Sequence, residues 1–242
     1  TDKMIPILRS QFLQLNCDEA TQSFLDTCYN PSWWYTMANM AASAIGPYMS
    51  LTDTNALLSR GQMFCLSTEQ FKLLLGPCVS FPLVERMGRP RSGRPVRVLD
   101  VGAGDGNVSR QFAPFFDEVI ATEASARMCD RLRQRGYTAV NTCEVTHESL
   151  GELAKDPFDV VMLLNVLDRC DKPVALLKQL RAQMAPDGVL VVAVVLPFCA
   201  FVETANGRKQ KAPSEPLDIP NGCNCRGGVR MPFEECVNHM VE

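Results

Sequence analysis

A ten-residue stretch, Arg97-Val-Leu-Asp-Val-Gly-Ala-Gly-Asp-Gly106, constrains this chain more than any other. Val98, Leu99 and Val101 form a short apolar run, the mark of a strand buried on both faces. The run leads straight into Gly102, Gly104 and Gly106. Glycines there let the backbone turn sharply and let a ligand approach main-chain N–H groups. Asn107 to Phe116 predicts a helix, and Glu118-Val-Ile-Ala-Thr-Glu123 predicts a second strand ending on an acid. An acid about 20 residues beyond such a turn is where nucleotide-type α/β folds hold ribose hydroxyls.

The ligand follows from the charges. G-x-G-x-G is not the G-x-G-x-x-G of dinucleotide enzymes. Asp100 and Asp105 would repel a pyrophosphate placed at the helix N-terminus. S-adenosylmethionine carries a sulfonium and an ammonium and no phosphate, so it suits the loop better. A plain tight turn would require neither the two acids nor Glu123. Asp100, Gly102, Gly104, Asp105 and Glu123 are therefore the candidate cofactor-binding residues, with Glu123 at the ribose.

From residue 97 to 199 strand and helix alternate, within a core domain read as residues 97–205. Strands are expected at Arg97–Val101, Glu118–Thr122, Thr138–Asn141, Phe158–Leu164 and Val189–Leu196, and helices at Asn107–Phe116, Ala126–Arg135 and Pro173–Met184. Short Val- and Leu-rich strands with right-handed crossovers give an α/β fold with a doubly wound, mostly parallel sheet. Its ligands bind outside the carboxyl ends of the strands. Residues 1–75 read as an N-terminal helical segment. Asp18 caps Glu19 to Cys28, and Trp33 opens a Met- and Ala-rich helix to Ile45. Thr52 or Asp53 starts a short helix to Leu58, and Ser67-Thr-Glu-Gln70 caps Phe71–Leu75. Met37, Met40, Met49 and Met63 read as core filler. Residues 76–96 read as a proline-broken, arginine-bearing linker. Residues 206–242 read as a polar tail leading into a helix that begins near Pro232.

The end of the fourth strand, Leu163-Leu-Asn165-Val-Leu-Asp168-Arg-Cys170, puts polar residues at the crevice. Methyl transfer from a sulfonium asks for an unprotonated, desolvated nucleophile held in line, and positioning alone can account for several kcal/mol of barrier. A neutral imidazole nitrogen qualifies at neutral pH, because His has a pKa near about 6.5. A carboxylate bonded to the other ring N–H would fix the tautomer and stabilise the imidazolium product. Asp168 suits that task, and Asn165 suits holding the ring or the cofactor. The plainer alternative is that Asp168 and Arg169 cap the next helix or pair with each other.

Composition removes some classes. A net charge of −3 gives no reason to expect nucleic acid as a partner. No stretch reaches the ~20 apolar residues of a membrane-spanning helix. Of the 11 cysteines, most sit in apolar segments and are expected to be buried, with Cys17 and Cys28 the best candidate disulfide. Cys223-Asn-Cys225, with Cys236 and His239, has the wrong spacing for a usual zinc site, so no metal is expected. The chain begins with Thr1 rather than Met, which leaves an upstream segment open, and no targeting segment is visible in it.

Five segments together resemble the DREV proteins, also called methyltransferase-like nine. They are Leu57-Leu-Ser-Arg-Gly-Gln-Met-Phe64, Val98-Leu-Asp-Val-Gly-Ala-Gly-Asp-Gly106, Ala121-Thr-Glu123, Leu164-Asn-Val-Leu-Asp-Arg-Cys-Asp171 and Val194-Val-Leu-Pro-Phe198. The resemblance spans residues 8–215 and implies a class I, S-adenosylmethionine-dependent methyltransferase fold. It implies a protein-histidine N-methyltransferase acting on the pros nitrogen of His-x-His motifs in proteins or peptides. By motif match, Glu123 would bind the cofactor ribose, Asn165 would contact cofactor and substrate, and Asp168 would orient the target imidazole. The family's association with the endoplasmic reticulum and mitochondria sets the expected localisation. Relatives also carry strands and a tyrosine-bearing loop beyond the helix near Pro232, so C-terminal strands are expected to be missing here. Two alternatives stay open: a class I methyltransferase with a small-molecule or other protein substrate, and a truncated, non-catalytic fragment that keeps the fold.

Overall fold

The computed structural model describes residues 4–45, 48, 51–58, 63–76, 95–203, 210–217 and 232–241. Five strands form its centre: β1 Arg97–Val101, β2 Glu118–Glu123, β3 Thr138–Asn141, β4 Phe158–Leu164 and β5 Met184–Ala193. All neighbours are parallel and the order is β3-β2-β1-β4-β5. The chain winds outward from β1 to β3, then returns to lay β4 on the other side of β1. The order reverses between β1 and β4, so their carboxyl ends open a crevice.

Every residue of β1 is buried. Leu99 and Val101 pack with Val161, Leu163, Leu176 and Leu180 on one face, whereas Val98 packs with Val160, Met162, Phe71 and Phe112 on the other. This period-2 division explains the unbroken apolar run, because both sheet faces are covered. Arg97 closes the amino end of β1. Its Nε is 2.7 Å from Glu118 Oε2, its other nitrogens donate to the Leu153 and Asp156 carbonyls, and its guanidinium lies 4.7 Å from the Phe158 ring centre. The polar groups of a buried arginine are thus satisfied at the end of the sheet away from the crevice.

Among the described residues five helices precede the sheet: α1 Pro6–Gln11, α2 Glu19–Tyr29, α3 Trp33–Ile45, α4 Leu51–Leu58 and α5 Thr68–Leu75. The expected caps are present. Asp18 accepts from Thr21 N at 2.9 Å, and Ser67 with Gln70 forms a reciprocal capping box. The Ser67 hydroxyl also donates to Asp18, joining the starts of α2 and α5. Thr68 donates to Gln111 Oε1 at 2.8 Å, which ties α5 to the sheet domain.

Several sequence expectations need correction. The helix expected over Asn107–Phe116 is a single turn, Ser109–Phe112, followed by a 3-10 turn, Ala113–Phe115. Pro114 has no N–H to continue the α-helical ladder. The last strand runs Met184–Ala193 rather than Val189–Leu196. Ala193 pairs with Leu164, the final residue of β4, so the chain beyond it has no neighbour to pair with. Met37, Met40 and Met63 are exposed rather than core, and Met49 lies outside the described residues. α3 buries Ala38 and Ala42, so it packs through its small residues and turns Trp33, Trp34, Met37 and Met40 outward. Cys17 and Cys28 are free and exposed. Cys17 precedes the helix Glu19–Tyr29 and Cys28 lies in its last turn, so at 1.5 Å per residue the nine steps from Glu19 to Cys28 alone span about 14 Å, far beyond disulfide reach. Of the described cysteines, Cys129 and Cys236 are buried. The remainder are exposed or half-buried, against the expectation for most of them.

A two-stranded antiparallel pair, Val202–Glu203 with Gln210–Lys211, was not legible in the sequence. The helix expected from Pro232 is Phe233–Val241. Most of the linker (77–94) and both Cys223 and Cys225 lie outside the described residues. No helix among those described is long and apolar enough to cross a membrane.

Candidate functional site

β1 delivers Asp100 to the crevice and the glycine loop begins two residues later. Gly102 N and Ala103 N both donate to the Thr122 carbonyl, at 2.9 and 3.1 Å, so the loop is pinned to β2. Gly102 has φ +67°, and a Cβ built there would stand 2.7 Å from Val166 Cγ2. Gly104 has φ +59° and open space where its Cβ would be. One glycine is required by a close contact and the other leaves a cradle.

Glu123, buried at the end of β2, spends its oxygens on this loop. Oε2 accepts from Gly104 N and Oε1 from Ser125 N, each at 2.9 Å. Ser125 caps the helix Ala126–Gln134 through Met128 N at 3.3 Å, and its hydroxyl donates to Asp53 of α4 at 2.6 Å. Glu123 therefore joins the glycine loop to the start of the next helix, and α4 is hydrogen-bonded to that same helix start.

The two loop acids differ. Asp100 is buried and accepts a hydrogen bond from the Ser109 hydroxyl. Burial pushes its carboxyl up to about 7, the Ser109 hydrogen bond works against this, and the nearby Glu123 carboxylate adds to it. Asp105 is held by Asn107, through N at 3.1 Å and Nδ2 at 2.6 Å, and by Arg135 at 3.3 Å. The sequence points to both acids as charges that favour a cationic ligand, but each already has a partner within the protein. Arg135, 30 residues further on, already balances Asp105.

A cavity of about 180 Å³ opens at the carboxyl ends of β1 and β4. Asp100, Gly102, Gly104, Asp105 and Asn165 line it, which brings five of the seven predicted site residues together. Asn165 has φ +57°, a left-handed conformation that asparagine tolerates better than most side chains. Its N–H bonds to the Ala193 carbonyl at 2.8 Å, and this turns the chain away at the end of β4. Glu123 and Asp168 are not among the described lining residues. Asp168 is buried in a 3-10 turn, Leu167–Arg169, and its Oδ1 has no hydrogen-bond partner. Its Oδ2 is 4.0 Å from Arg169 Nε, at the outer limit of an ion pair. Arg169 lies with its guanidinium 5.6 Å from the centre of the Phe201 ring and lines the cavity.

Thr52 and Asn55 of α4, together with Met63, also line the cavity and were not anticipated as site residues. The position of Thr52 and Asn55 depends on how α4 packs against α3 and the helix after β2, and neither residue type at that spacing carries a local signal.

The architecture is that of a class I methyltransferase: a parallel β3-β2-β1-β4-β5 sheet, a glycine turn after β1, an acid ending β2 and a cavity at the switch point. The profile of the DREV methyltransferase family matches residues 1–242, and the chain belongs to that family. It is also similar to solved structures. One is NodS, an N-methyltransferase from Bradyrhizobium japonicum WM9 in complex with S-adenosylhomocysteine, at 20% identity over 42% of this chain and 53% of that one, TM-score 0.35. Another is DesVI from Streptomyces venezuelae, at 18% identity over 54% and 51%, TM-score 0.38. A third is the ribosomal protein L11 methylase from Lactobacillus delbrueckii subsp. bulgaricus, at 21% identity over 52% and 58%, TM-score 0.32. The chain spans between half and three-fifths of the length of these three.

The cofactor of such enzymes is S-adenosylmethionine, and the cavity lining suits it. The open space at Gly104 leaves room for a ligand against the backbone, and Asp100 is an acid that could face its ammonium. Among the described lining residues Arg169 is the one cation, available to its carboxylate.

Proposed function

We propose that the chain is an S-adenosylmethionine-dependent protein methyltransferase whose acceptor is the pros nitrogen of histidine in His-x-His motifs. The observation that carries the acceptor is Asp168. Its carboxylate is buried in the turn three residues after Asn165, and Oδ1 has no donor among the described residues. A buried acceptor without a partner costs about 1–3 kcal/mol. An imidazole N–H is a donor that would relieve that cost. Asp168 would then hold the ring in the tautomer that leaves its other nitrogen unprotonated, and would stabilise the imidazolium as charge develops.

Asp100, Gly102, Gly104 and Asp105 would hold the cofactor, with Asn165 between cofactor and ring. Glu123 would meet the ribose from beneath Gly104. The cofactor supplies an electrophilic methyl group on sulfur. The protein's part is to align the acceptor nitrogen, exclude water and keep that nitrogen unprotonated. The endoplasmic reticulum and mitochondria are proposed as the place of this work, with family resemblance as the support.

The test is transfer of labelled methyl from the cofactor to a His-Ala-His peptide. Label should appear on the peptide with the parent chain and fall at least about a hundredfold in Asp168→Ala, with S-adenosylhomocysteine affinity retained. Label on a small molecule or on another residue type would replace the histidine reading. An unchanged rate in Asp168→Ala would remove Asp168 from its role.

A further inference from the structure

Helix α4 lies over the cavity from the N-terminal segment, far in sequence from the glycine loop. Thr52 and Asn55 stand three residues apart on one face of it, and both line the cavity. The Asn55 Oδ1 is buried and has no hydrogen-bond partner. A side-chain amide oxygen in that state destabilises the unliganded protein unless a donor arrives. The cavity is the place from which one would come.

The chemistry of the lining narrows the donor. Asp100 and Asp105 add carboxylate oxygens to the same cavity, and Arg169 is the one cation among the described lining residues. Asp105 already has Arg135 and Asn107. Asp100 has the Ser109 hydroxyl on one oxygen. Besides the Thr52 hydroxyl and the Asn165 amide, each able to donate as well as accept, the lining offers a carboxylate oxygen of Asp100 and the carbonyl oxygen of Asn55. Both are acceptors. The complementary group has several N–H bonds and no lone pair, which describes a primary ammonium.

We infer that Asn55 is a cofactor-binding residue contributed by the N-terminal helical segment, its side-chain oxygen accepting a hydrogen bond from the α-ammonium group of the cofactor opposite Asp100. The inference rests on the S-adenosylmethionine reading above and is independent of the histidine acceptor. It makes α4 a wall of the cofactor site. The hydrogen bond from Ser125 to Asp53 fixes that wall to the helix that follows β2.

The test is a cycle of two ligands and two proteins, read by calorimetric titration. The ligands are S-adenosylhomocysteine and its deaminated analogue, in which hydrogen replaces the amino group. The proteins are the parent chain and Asn55→Leu, which keeps the side-chain shape and removes the acceptor. Asn55→Leu should weaken S-adenosylhomocysteine binding by about tenfold or more and change binding of the deaminated analogue by less than about twofold. Asn55→Asp, which keeps an acceptor and adds charge, should bind S-adenosylhomocysteine at least as well as the parent. It also separates loss of contact from loss of folding, as do melting temperatures for both variants. Equal losses on both ligands would overturn the assignment to the ammonium, and no loss on either would overturn a role for Asn55. Failure of the parent chain to bind S-adenosylhomocysteine would overturn the cofactor reading together with this one. A negative peptide assay with intact binding would overturn only the histidine reading.

Discussion

Burial holds the Asp100 carboxyl near neutrality, about 7 against an ordinary value of 3.8, and that has a consequence for stability as well as binding. Between about pH 4 and pH 7 the folded state keeps a proton that the unfolded chain has released, so stability falls as pH rises through that window. The stabilisation is complete below the unfolded value and lost above about 7, on the order of 4 kcal/mol in all. Asp100→Asn should flatten this slope and leave the variant more stable than the parent above pH 7, in urea titrations across the range. The same change should weaken cofactor binding, which would mark Asp100 as a residue kept for function at a cost in stability. Gly102 poses the opposite case. Its backbone has φ +67° and its missing Cβ leaves room for Val166, so Gly102→Ala should cost about 2–4 kcal/mol. Val166→Ala in the same chain should restore the part due to the clash and leave the part due to the backbone. The glycine turn was legible because a run of apolar residues ending on alternate glycines has few other readings. The pairing of Asp105 with Arg135 was not, because nothing local links positions 30 residues apart.

The elements were easiest to place where a strong local signal coincided with burial. β1, β3 and β4 run as the apolar pattern indicates, and the capping sequence Ser67-Thr-Glu-Gln70 starts α5 at Thr68. Ends went astray where tertiary pairing decides them, as in β5, whose last residue is set by where β4 stops. α3 misled because methionine and tryptophan signal burial, whereas the helix packs through Ala38 and Ala42. The joint between α2 and α5 is the element-scale feature most open to measurement. Ser67 donates to Asp18 and accepts from Gln70 N, so one hydroxyl serves two helix starts. Ser67→Ala should cost about 1–2 kcal/mol in thermal or urea unfolding. The hydrogen bond from Ser67, with those from Thr21, holds the Asp18 carboxyl below its ordinary range. That contribution is present above about pH 4 and disappears as pH falls. The variant should therefore lose less stability than the parent on acidification.

At the scale of the whole molecule, the site is assembled from parts that meet only in the fold: the loop after β1, the end of β4, and α4. The first two could be located in the sequence because a doubly wound sheet places ligands at the carboxyl ends of its strands. The third could not, since Thr52 and Asn55 gain their position from the packing of one helix over another. Val166 sits between the two segments that could be located. It follows Asn165, precedes the turn bearing Asp168, and fills the space that Gly102 leaves beside the cofactor loop. On the roles proposed above for Gly102 and Asp168, cofactor affinity and acceptor choice would share one van der Waals contact. A designer who reshapes residues 165–169 to accept a different nucleophile would shift the floor under the methyl donor as well.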